Sequence, residues 1–318
     1  MKRWVITGPT GWIGQALLAL LASEGDADAL RPGEGLALFG SRAATLRLPS
    51  GQSVPVRPLS ELSPDDVAGA WVVHLAYLTK DKVVDLGEPA FRDGNNSIDA
   101  TVLRAMEQAP PAALFVASSG AARLVEQGLD QHPYGLMKLE QEARFLDFGA
   151  AHGVPVLCGR IWNVAGPHIN KLDAYAVSNF AVQAIEGGKI RIEAQQPVFR
   201  SYLHITDLCR LVVRAMRKGY GRSQPVDLCG NTILEMADIA ALVAAEVGGD
   251  VRISRADVSF AKRSDYLGCS QETQVLAMEL DHVLADTVSQ VQDTISWIKA
   301  MAVPLGTQGE LTRAAGGE

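Results

Sequence analysis

Short runs of apolar residues alternate with longer amphipathic stretches through the first half of the chain. Short apolar runs bounded by turn residues are typical of buried strands, whereas apolar residues that recur every three or four positions are typical of helices. The runs that we interpret as strands are 5–7, 36–39, 54–56, 71–75, 113–117 and 154–158. Apolar strands that alternate with helices predict a parallel sheet covered on both faces, which is the arrangement of a doubly wound α/β fold.

Helical patterns lie between these strands and after them. The predicted helices are one from residue 13, a short one from Pro64, and those at 98–108, 134–152, 174–186, 204–217, 236–247 and 286–301, with a further short strand at 189–192. The alternation becomes less regular after about residue 165. We therefore expect a first domain at 1–165 and a smaller α/β part at 166–305, interleaved with the first. The segment 306–318 is rich in Gly, Ala and charged residues, and we expect a disordered tail there.

The composition is that of a soluble globular protein. The chain has 318 residues, of which 47% are apolar and 20% charged, so it can form a sizeable core. Its net charge of −7 argues against a nucleic acid or an anionic membrane surface as the main partner. The first predicted strand begins at the N-terminus, which leaves no room for a signal peptide, and no apolar run reaches membrane-spanning length. These features predict a cytoplasmic protein.

The four cysteines give no sign of a metal site. Cys158, Cys209, Cys229 and Cys269 lie far apart, without a C-x-x-C pair or a nearby histidine cluster. Structural thiols in a reducing compartment are the simplest interpretation of this spacing. We therefore expect no bound metal.

Three glycines follow the first strand and open the first helix, with the spacing Gly8-x-x-Gly11-x-x-Gly14. In a dinucleotide-binding turn the first glycine allows the tight turn, the second lets the pyrophosphate approach, and the third lets helix and strand pack closely. The helix N-terminus then offers N–H groups to the phosphates. An ordinary strand-to-helix turn can also be rich in glycine, but this context favours a dinucleotide site. The residues expected to contact the dinucleotide are Gly8, Gly11, Trp12, Ile13 and Gly14.

The end of the second strand indicates which dinucleotide is bound. NAD-binding proteins usually have Asp or Glu there to bind the ribose hydroxyls, whereas an arginine suits the additional phosphate of NADP. This chain has Ser41 and Arg42 after Gly40, and no acidic residue. We therefore favour NADP, as NADPH, over NAD as the cofactor. The alternative is that Arg42 merely lies over the adenine of NAD.

Tyr134 and Lys138 are four residues apart in a predicted helix, so they lie on one face of it. A tyrosine phenol has an ordinary pKa of about 10, too high for proton transfer at neutral pH. A lysine ammonium one turn away favours the phenolate, which makes the pair a usable acid and base. Ser119, at the end of the fifth strand, is placed to hydrogen-bond a substrate carbonyl. An exposed helix face and a serine that only terminates its strand are the alternative interpretations.

These motifs occur together with others in an order typical of one family. The full set is Thr7-Gly8-x-x-Gly11-x-x-Gly14, His74-Leu75-Ala76, Ser118-Ser119, Tyr134-x-x-x-Lys138, Arg160-x-x-Asn163-Val164-x-Gly166-Pro167, Arg200-Ser201-Tyr202-Leu203-His204-Ile205-x-Asp207 and Leu228-Cys229-Gly230. The chain resembles the extended short-chain dehydrogenases/reductases, in particular the NAD-dependent epimerase/dehydratase family, over nearly its whole length. The resemblance implies a Rossmann domain at 1–165 that binds the dinucleotide and carries the catalytic residues, and a mainly substrate-binding part at 166–305.

The resemblance also implies roles for single residues. Leu75 and Ala76 would pass beside the cofactor, and Lys138 would hold the nicotinamide ribose. The positions that match family residues at the diphosphate of a nucleotide sugar, or near the active site, are Asn163, Arg200, Arg263 and Asn96, the last uncertain by one position because Asn95 precedes it. An arginine suits a diphosphate because its guanidinium binds phosphate oxygens as a fork. A homodimer formed through helices 92–108 and 134–152 is usual in the superfamily and is expected here.

Two departures from the family pattern bear on the function. Dehydratases of this family follow the active-site serine or threonine with Asp-Glu, whereas Gly120 and Ala121 follow Ser119 here, which argues against a dehydratase. Tyr77 stands where the family usually has a small residue, and we expect it to narrow the pocket.

Several functions stay open at this point. We favour the NADPH-dependent reduction of a nucleotide-linked 4-keto-6-deoxy sugar, in which Tyr134 donates the proton and Ser119 polarises the carbonyl. A nucleotide-sugar 4-epimerase with retained NAD uses the same residues. A non-catalytic NADP-binding sensor on the same fold is disfavoured because the Ser, Tyr and Lys are all present. A reductase of small aldehydes or ketones is also open, because Asn163 and Arg200 are the main argument for a diphosphate.

Overall fold

The computed structural model describes residues 2–24, 30–31, 33–48 and 51–311, with side chains up to residue 301. The chain forms two compact units. The first consists of Met1–Trp162, Thr206–Gly230 and Gly268–Leu284, and the second consists of Asn163–Ile205, Asn231–Leu267 and Ala285–Glu318. The chain therefore leaves the first unit after residue 162 and returns to it twice.

The strands are β1 (Trp4–Thr7), β2 (Leu36–Gly40), β3 (Ala44–Arg47), β4 (Ser53–Pro58), β5 (Trp71–His74), β6 (Ala113–Ser119), β7 (Val156–Ile161), β8 (Asn163–Ala165), β9 (Lys189–Ile192), β10 (Val198–Arg200), β11 (Tyr202–His204), β12 (Val226–Leu228), β13 (Leu234–Glu235), β14 (Arg252–Arg255) and β15 (Ser264–Tyr266). The helices are α1 (Trp12–Ser23), α2 (Pro64–Val67), α3 (Lys82–Leu86), α4 (Glu88–Gln108), α5 (Gly120–Glu126), α6 (Pro133–His152), α7 (Ala176–Gly187), α8 (Ile205–Lys218), α9 (Met236–Val247), α10 (Ser270–Glu279) and α11 (Thr287–Leu311).

A large sheet lies at the centre of the first unit, with the strand order β12-β7-β6-β5-β1-β2-β4-β3. Its strands pair in parallel except β3, which is antiparallel to β4. The strands that follow β1 in sequence add first on one side, as β2 and β4, and then on the other, from β5 onwards. The predicted doubly wound α/β fold is thereby confirmed. In such sheets a ligand crevice opens beyond the carboxyl ends of the strands where the order reverses, which here lies between β1 and β5.

Helix α4 is longer than the apolar pattern predicts, because its buried face is partly polar. The expected helix begins at residue 98, whereas α4 begins at Glu88. Its buried positions include Phe91, Asn95 and Asp99, spaced by four residues. A pattern search for apolar residues misses the first half of such a helix, since two of these three side chains are polar.

The hairpin strand β3 is also absent from the sequence prediction. Three of its four residues are exposed, so it carries no apolar run. It forms because it pairs with β4, which lies at the edge of the parallel part of the sheet. Pairing partners of this kind depend on neighbours in space, which the local pattern does not record.

The second unit has its own apolar core and several small sheets. Helices α7, α9 and α11 pack around side chains such as Phe180, Ile190, Ile239 and Ile295. Its strands pair as β8 with β11, β9 with β14, and β10 with β13 and β15. The last helix extends to Leu311, and residues 312–318 of the tail expected at 306–318 lie outside the described residues. None of the helices in the described part combines the length and the apolar character that a membrane crossing requires.

Candidate active site

The glycine turn between β1 and α1 leaves open space at its middle glycine. Gly8 has a φ of +70°, and a Cβ on it would lie 2.9 Å from the backbone nitrogen of Ala76. A Cβ on Gly14 would lie 2.6 Å from the carbonyl oxygen of Gly8, so both positions require glycine. A Cβ on Gly11 would have, among the described residues, only that same carbonyl oxygen within contact range, at 3.5 Å. A pyrophosphate needs such open backbone, and the turn therefore fits a dinucleotide.

The N-terminus of α1 adjoins this open space and has no side-chain cap. Gly11 is its N-cap residue, and the first turn contains no acidic side chain. Trp12 and Ile13 are the first residues of the helix, whose earliest N–H groups lack partners within the helix. The positive end of the helix dipole is therefore available to an anion beside Gly11.

The residues after β5 lie directly beside the glycine turn. The backbone N–H groups of Leu75 and Ala76 both donate to Oγ1 of Thr7, each over 3.1 Å. Thr7 is fully buried and immediately precedes Gly8. The Thr7 hydroxyl thus helps to hold together the two strand ends that flank the expected crevice, and Leu75 and Ala76, which we expect to contact the cofactor, lie beside the glycine turn.

Ser41 and Arg42 follow β2 and are exposed. In the part of the chain that the structure describes, neither side chain is engaged by a hydrogen bond or an ion pair, so both are available to a ligand. The segment from Gly40 to Arg42 contains no carboxylate that would repel a 2′-phosphate. These observations agree with the residue types that led us to favour NADP.

Ser119 and Tyr134 lie at the starts of two helices that pack closely. Ser119 ends β6 and caps α5, and its hydroxyl accepts a hydrogen bond from the N–H of Ala121 over 3.2 Å. A Cβ on Gly135 would lie 2.8 Å from the carbonyl oxygen of Ala121, so α6 approaches the first turn of α5 at this glycine. Tyr134 immediately precedes Gly135, at the start of α6. The close approach of the helices therefore brings the serine and the tyrosine to the same end of the sheet.

Lys138 is 4% exposed, and its ammonium group contacts protein groups on several sides. Nζ donates to the backbone oxygen of Ala117 over 2.7 Å and to Oε1 of Gln141 over 2.9 Å. It also lies 3.5 Å from the ring centroid of Tyr77, in a cation–π contact. Burial lowers the pKa of Lys138 to about 7, against the opposing effect of nearby carboxylates, chiefly Asp99.

Tyr77 contacts both members of the expected catalytic pair. Besides covering the Lys138 ammonium, its ring makes an edge-on contact with the ring of Tyr134, with centroids 6.2 Å apart. Its hydroxyl is buried and has no hydrogen-bond partner among the described residues. Burial also raises the pKa of the Tyr77 phenol above its usual value. The side chain thus occupies space that a small residue would leave open.

The structure distinguishes the two asparagines that the sequence left open. Asn95 is fully buried, and its Oδ1 accepts a hydrogen bond from the N–H of Leu78 over 2.8 Å. Asn96 is half-buried on the next helix position. Asn95 therefore holds the segment that follows β5, and the site residue expected at Asn96 fits Asn95 better. Asn95 lies four residues after Phe91, on the buried face of α4, and this spacing is the sequence signal that distinguishes it from Asn96.

A buried ion pair supports the strand that carries Ser119. The guanidinium of Arg160 donates to both carboxylate oxygens of Glu142, over 2.9 and 2.7 Å, and each side chain is 2% exposed. The hydroxyl of Ser118 donates to the same carboxylate. Arg160 belongs to the family motif, whereas no role for Glu142 was predicted from the sequence. The pair fixes β6, α6 and β7 to one another beside Ser119.

In the second unit, Asn163 and Arg200 are oriented by backbone carbonyls. Nδ2 of Asn163 donates to the carbonyl oxygens of Ser201 and Tyr266, each over 3.3 Å. The guanidinium of Arg200 donates to the carbonyl oxygens of Phe199 and Ser264, over 2.8 and 3.1 Å. Both side chains are half-buried, and Arg200 lies beside the ring of Tyr266. The strands β8, β10, β11 and β15 thus bring the two predicted substrate residues into one region of this unit.

Arg263 is placed differently from Arg200. Its side chain is 71% exposed and forms an ion pair with Asp265 over 2.8 Å. Together with Lys262, Phe260 and Phe199, it lines a cavity of about 560 Å³ in the second unit. No hydrogen bond joins Arg263 to Asn163 among the described residues.

Solved structures with this fold cover nearly the whole chain. UDP-N-acetylglucosamine 4-epimerase from Methanobrevibacter ruminantium M1, in complex with UDP-N-acetylmuramic acid, superimposes with a TM-score of 0.73 at 15% identity, over 94% of this chain and 99% of that one. RMD from Pseudomonas aeruginosa, complexed with NADPH, gives a TM-score of 0.67 at 19% identity, over 95% and 100% of the two chains. At these identities the likeness establishes the fold.

Sequence comparison adds a narrower relationship. UDP-glucuronic acid decarboxylase 6 from Arabidopsis thaliana is 27% identical over 112 residues, which are 35% of this chain and 32% of that protein. The match therefore spans about a third of the length of this curated relative. The profile of the NAD dependent epimerase/dehydratase family matches residues 4–226. This match confirms the resemblance found in the motifs and the expectation of an enzyme, and the chain belongs to the NAD dependent epimerase/dehydratase family.

Proposed function

We propose that this protein reduces a nucleotide-linked 4-keto-6-deoxy sugar with NADPH. The observation that carries the proposal is that the Tyr77 ring contacts both Tyr134 and Lys138, directly after Ala76, whose backbone lies beside the glycine turn. A proton donor beside a dinucleotide site is what the reduction of a carbonyl requires.

Each of the three catalytic residues has a separate task in this proposal. Tyr134 gives its phenolic proton to the carbonyl oxygen as that oxygen becomes an alkoxide. The Lys138 ammonium favours the phenolate that results, because an opposite charge nearby stabilises the ionised form. Ser119 donates a hydrogen bond to the same carbonyl oxygen and thereby stabilises the charge that develops on it.

The glycine turn has room for a pyrophosphate, and this indicates which residues of the first unit would hold the cofactor. The pyrophosphate would lie against Gly11, Trp12 and Ile13, with Gly8 and Gly14 maintaining the turn. Ser41 and Arg42 would bind the 2′-phosphate, and Leu75, Ala76 and Lys138 would contact the nicotinamide half. When bound, NADPH supplies the hydride.

A nucleotide-diphosphate sugar is the substrate class that the second unit favours. Arg200 presents a forked donor that is held by two backbone carbonyls, and Asn163 is held in the same region. Such a guanidinium suits a diphosphate because it binds two oxygens at once. Arg263 adds a second, more exposed cation. We propose Asn95, in place of Asn96, as the asparagine that supports the active site.

A 4-epimerase with retained NAD is the alternative, because it needs the same Tyr, Lys and Ser. The exposed Arg42 and the absence of a carboxylate between Gly40 and Arg42 favour exchangeable NADPH and net reduction. The cytoplasmic location and the homodimer expected from the sequence are part of this proposal.

The test is to purify the full-length protein, identify any dinucleotide that copurifies, and follow NADPH consumption with TDP-, UDP- and GDP-linked 4-keto-6-deoxyhexoses. We expect turnover with at least one of them, and Tyr134→Phe should lower kcat about 1,000-fold without changing the Kd of NADPH. Tyr220→Phe, the same change at a tyrosine bonded to Glu279, should leave kcat unchanged. Tightly retained NAD with interconversion of 4-epimers, or carbon dioxide release from UDP-glucuronic acid, would replace the proposal with an epimerase or a decarboxylase.

A further inference from the structure

A continuous chain of buried polar side chains runs from the glycine turn to Lys138. Its members are Thr7, His74, Asp99, Gln141 and Lys138, and each is at most 4% exposed. His74 ends β5, Asp99 lies in α4, and Gln141 lies in α6 one turn after the lysine. Polar groups at this depth stabilise a fold only if they are paired, so their hydrogen bonds determine what the chain does.

The direction of each hydrogen bond at the first end follows from counting donors and acceptors. Oγ1 of Thr7 already accepts two hydrogen bonds, from the N–H groups of Leu75 and Ala76. Its own hydrogen is therefore donated to Nδ1 of His74, over 2.8 Å. Nδ1 of His74 is then an acceptor, so the other ring nitrogen, Nε2, is the one that donates to Oδ1 of Asp99, over 3.3 Å.

The orientation of the Gln141 amide is fixed in the same way. Nε2 of Gln141 lies 2.7 Å from Oδ1 of Asp99, which can only accept, so this atom is the amide nitrogen. Oε1 of Gln141 therefore faces Nζ of Lys138, at 2.9 Å. A reversed amide would place two acceptors together at Asp99 and two donors together at Lys138. The Asp99 carboxylate thus determines the orientation of the Gln141 amide, and the amide oxygen then faces the Lys138 ammonium.

Among the described residues, few other groups near Lys138 can hold its ammonium in place. Its charged form is opposed by burial and favoured chiefly by Asp99, then by Glu142 and Cys158. Glu142 lies in α6 and is already bonded to Arg160. Tyr77, from the segment after β5, offers the face of its ring. Apart from the Ala117 carbonyl, Gln141 provides the hydrogen-bond acceptor that holds the ammonium in place.

We infer that Gln141 and Asp99 are positioning residues for Lys138: the Asp99 carboxylate orients the Gln141 amide, which holds the lysine ammonium in place and charged. The inference rests on the proposed function, in which Lys138 acts on Tyr134 and on the nicotinamide ribose. The polar chain also starts at Thr7, directly before Gly8, so the glycine turn and the lysine are fixed by the same hydrogen bonds. Neither residue touches the reacting atoms in this proposal, and both act through Lys138.

The first measurement is the titration of Lys138, followed by NMR in full-length protein labelled with isotopic lysine and assigned with Lys138→Arg. Gln141→Leu removes the acceptor, and Asp99→Asn removes the charge without changing the shape. Either change disfavours the ammonium, so the titration midpoint should move to lower pH by about one pH unit. The double variant should shift by less than the sum of the two single shifts, because part of the effect of Asp99 passes through the amide and the rest is its direct charge effect on the ammonium. This measurement needs neither cofactor nor substrate.

The second measurement compares NADPH with 2′,5′-ADP, which lacks the nicotinamide ribose. Gln141→Leu should weaken NADPH binding about tenfold, the effect of losing one charge-assisted hydrogen bond, and leave 2′,5′-ADP binding unchanged. Gln108→Leu, the same substitution at the exposed end of α4, serves as the control and should change neither affinity. Circular dichroism checks that each variant is folded.

The outcomes separate this inference from the proposed function. An unchanged Lys138 midpoint in both Gln141→Leu and Asp99→Asn would overturn the positioning role, and so would an equal loss of NADPH and 2′,5′-ADP affinity. If the wild-type protein binds neither nucleotide, the proposed function fails, and the Lys138 titration still decides whether the amide holds the lysine. Normal catalysis by Gln141→Leu beside an inactive Tyr134→Phe would leave the proposed function intact and remove Gln141 from it.

Discussion

The buried polar network beside the candidate catalytic residues of the first unit and the candidate substrate residues of the second unit are held in different ways. In the first unit, Thr7, Asp99 and Lys138 are nearly or fully buried and bond to other side chains and to backbone groups around them. In the second unit, Arg200 is half-buried and bonds mainly to backbone carbonyls, and Arg263 is largely exposed. The proposed chemistry therefore rests on buried side chains that packing holds in place, whereas the proposed substrate recognition rests on side chains that are half-buried or exposed.

This difference has a physical reason. Catalytic groups gain from being held in place before the substrate arrives, because no reorganisation is then needed during the reaction. Buried polar networks provide that rigidity when every member is paired. A long, exposed arginine keeps its rotamer freedom and adapts to different ligands, and each contact it forms is weaker. Substitutions at the closely packed glycine turn of the first unit should therefore have larger and less local effects than those at the arginines of the second unit.

The largest effect is expected at the glycine turn. Gly14→Ala places a Cβ 2.6 Å from the carbonyl oxygen of Gly8 and 2.7 Å from Cα of Pro9, and backbone atoms cannot move aside cheaply. We expect the free energy of unfolding to fall by about 2–3 kcal/mol and NADPH binding to be lost. Denaturant unfolding and a fluorescence titration with NADPH measure the two effects.

Gly11→Ala is the matched control for this change. Its Cβ would lie at an ordinary contact distance of 3.5 Å, so stability should change by less than about 1 kcal/mol. The new methyl group nevertheless stands where the pyrophosphate is proposed to bind, and NADPH affinity should fall at least about tenfold. Unchanged NADPH affinity in Gly11→Ala would show that the open backbone at this turn is not the phosphate site.

A smaller effect is expected from Arg200. Arg200→Met removes a half-buried guanidinium and should raise the KM of the nucleotide sugar about 30-fold, with little change in kcat, because the lost contact is with the diphosphate. Arg263→Met removes an exposed cation and should raise KM less than about threefold. Steady-state kinetics with the best substrate measure both. Equal effects of the two substitutions would contradict the assignment of Arg200 as the main diphosphate residue.

The cofactor preference should change with Arg42. Arg42→Asp replaces an exposed cation by an anion beside the expected 2′-phosphate, so the ratio of NADPH to NADH affinity should fall about tenfold. Arg47→Asp makes the same change of charge at another exposed arginine, on β3, and should leave the ratio unchanged. Binding titrations at low and physiological salt measure the ratio, and parallel losses for both dinucleotides would speak against NADP.

The smallest effect concerns the Tyr77 hydroxyl, a buried group of the first unit without a hydrogen-bond partner among the described residues. Tyr77→Phe removes that unpaired hydroxyl and should raise the free energy of unfolding by about 1 kcal/mol. The ring over Lys138 is retained. Tyr220→Phe removes a hydroxyl that is bonded to Glu279 and should lower stability instead. Chemical denaturation of both variants gives the comparison, and a destabilised Tyr77→Phe would indicate a partner for the hydroxyl.

The parts of the candidate site that depend on the spacing of residues along the chain were predictable from the sequence. The glycine turn was predicted at residues 8–14, and Tyr134 and Lys138 were predicted on one helix, which α6 bears out. Asp99 and Gln141 were not predicted as site residues, although Gln141 follows Lys138 by three positions on the same helix face. A polar residue on that face is usually solvated, and only the packing of α4 against α6 buries it.

The sequence by itself determined the alternation of strands and helices, the glycine turn and the spacing of the tyrosine and the lysine. These features depend on residues that are neighbours along the chain, and the helical and strand periods convert such spacing directly into geometry. Only the tertiary structure decided that Asn95 rather than Asn96 is buried, that Tyr77 covers the lysine, and that Asp99 orients the Gln141 amide. Tyr77 and Lys138, like Asp99 and Gln141, are far apart in sequence. They meet only because separate helices and strands pack into one core.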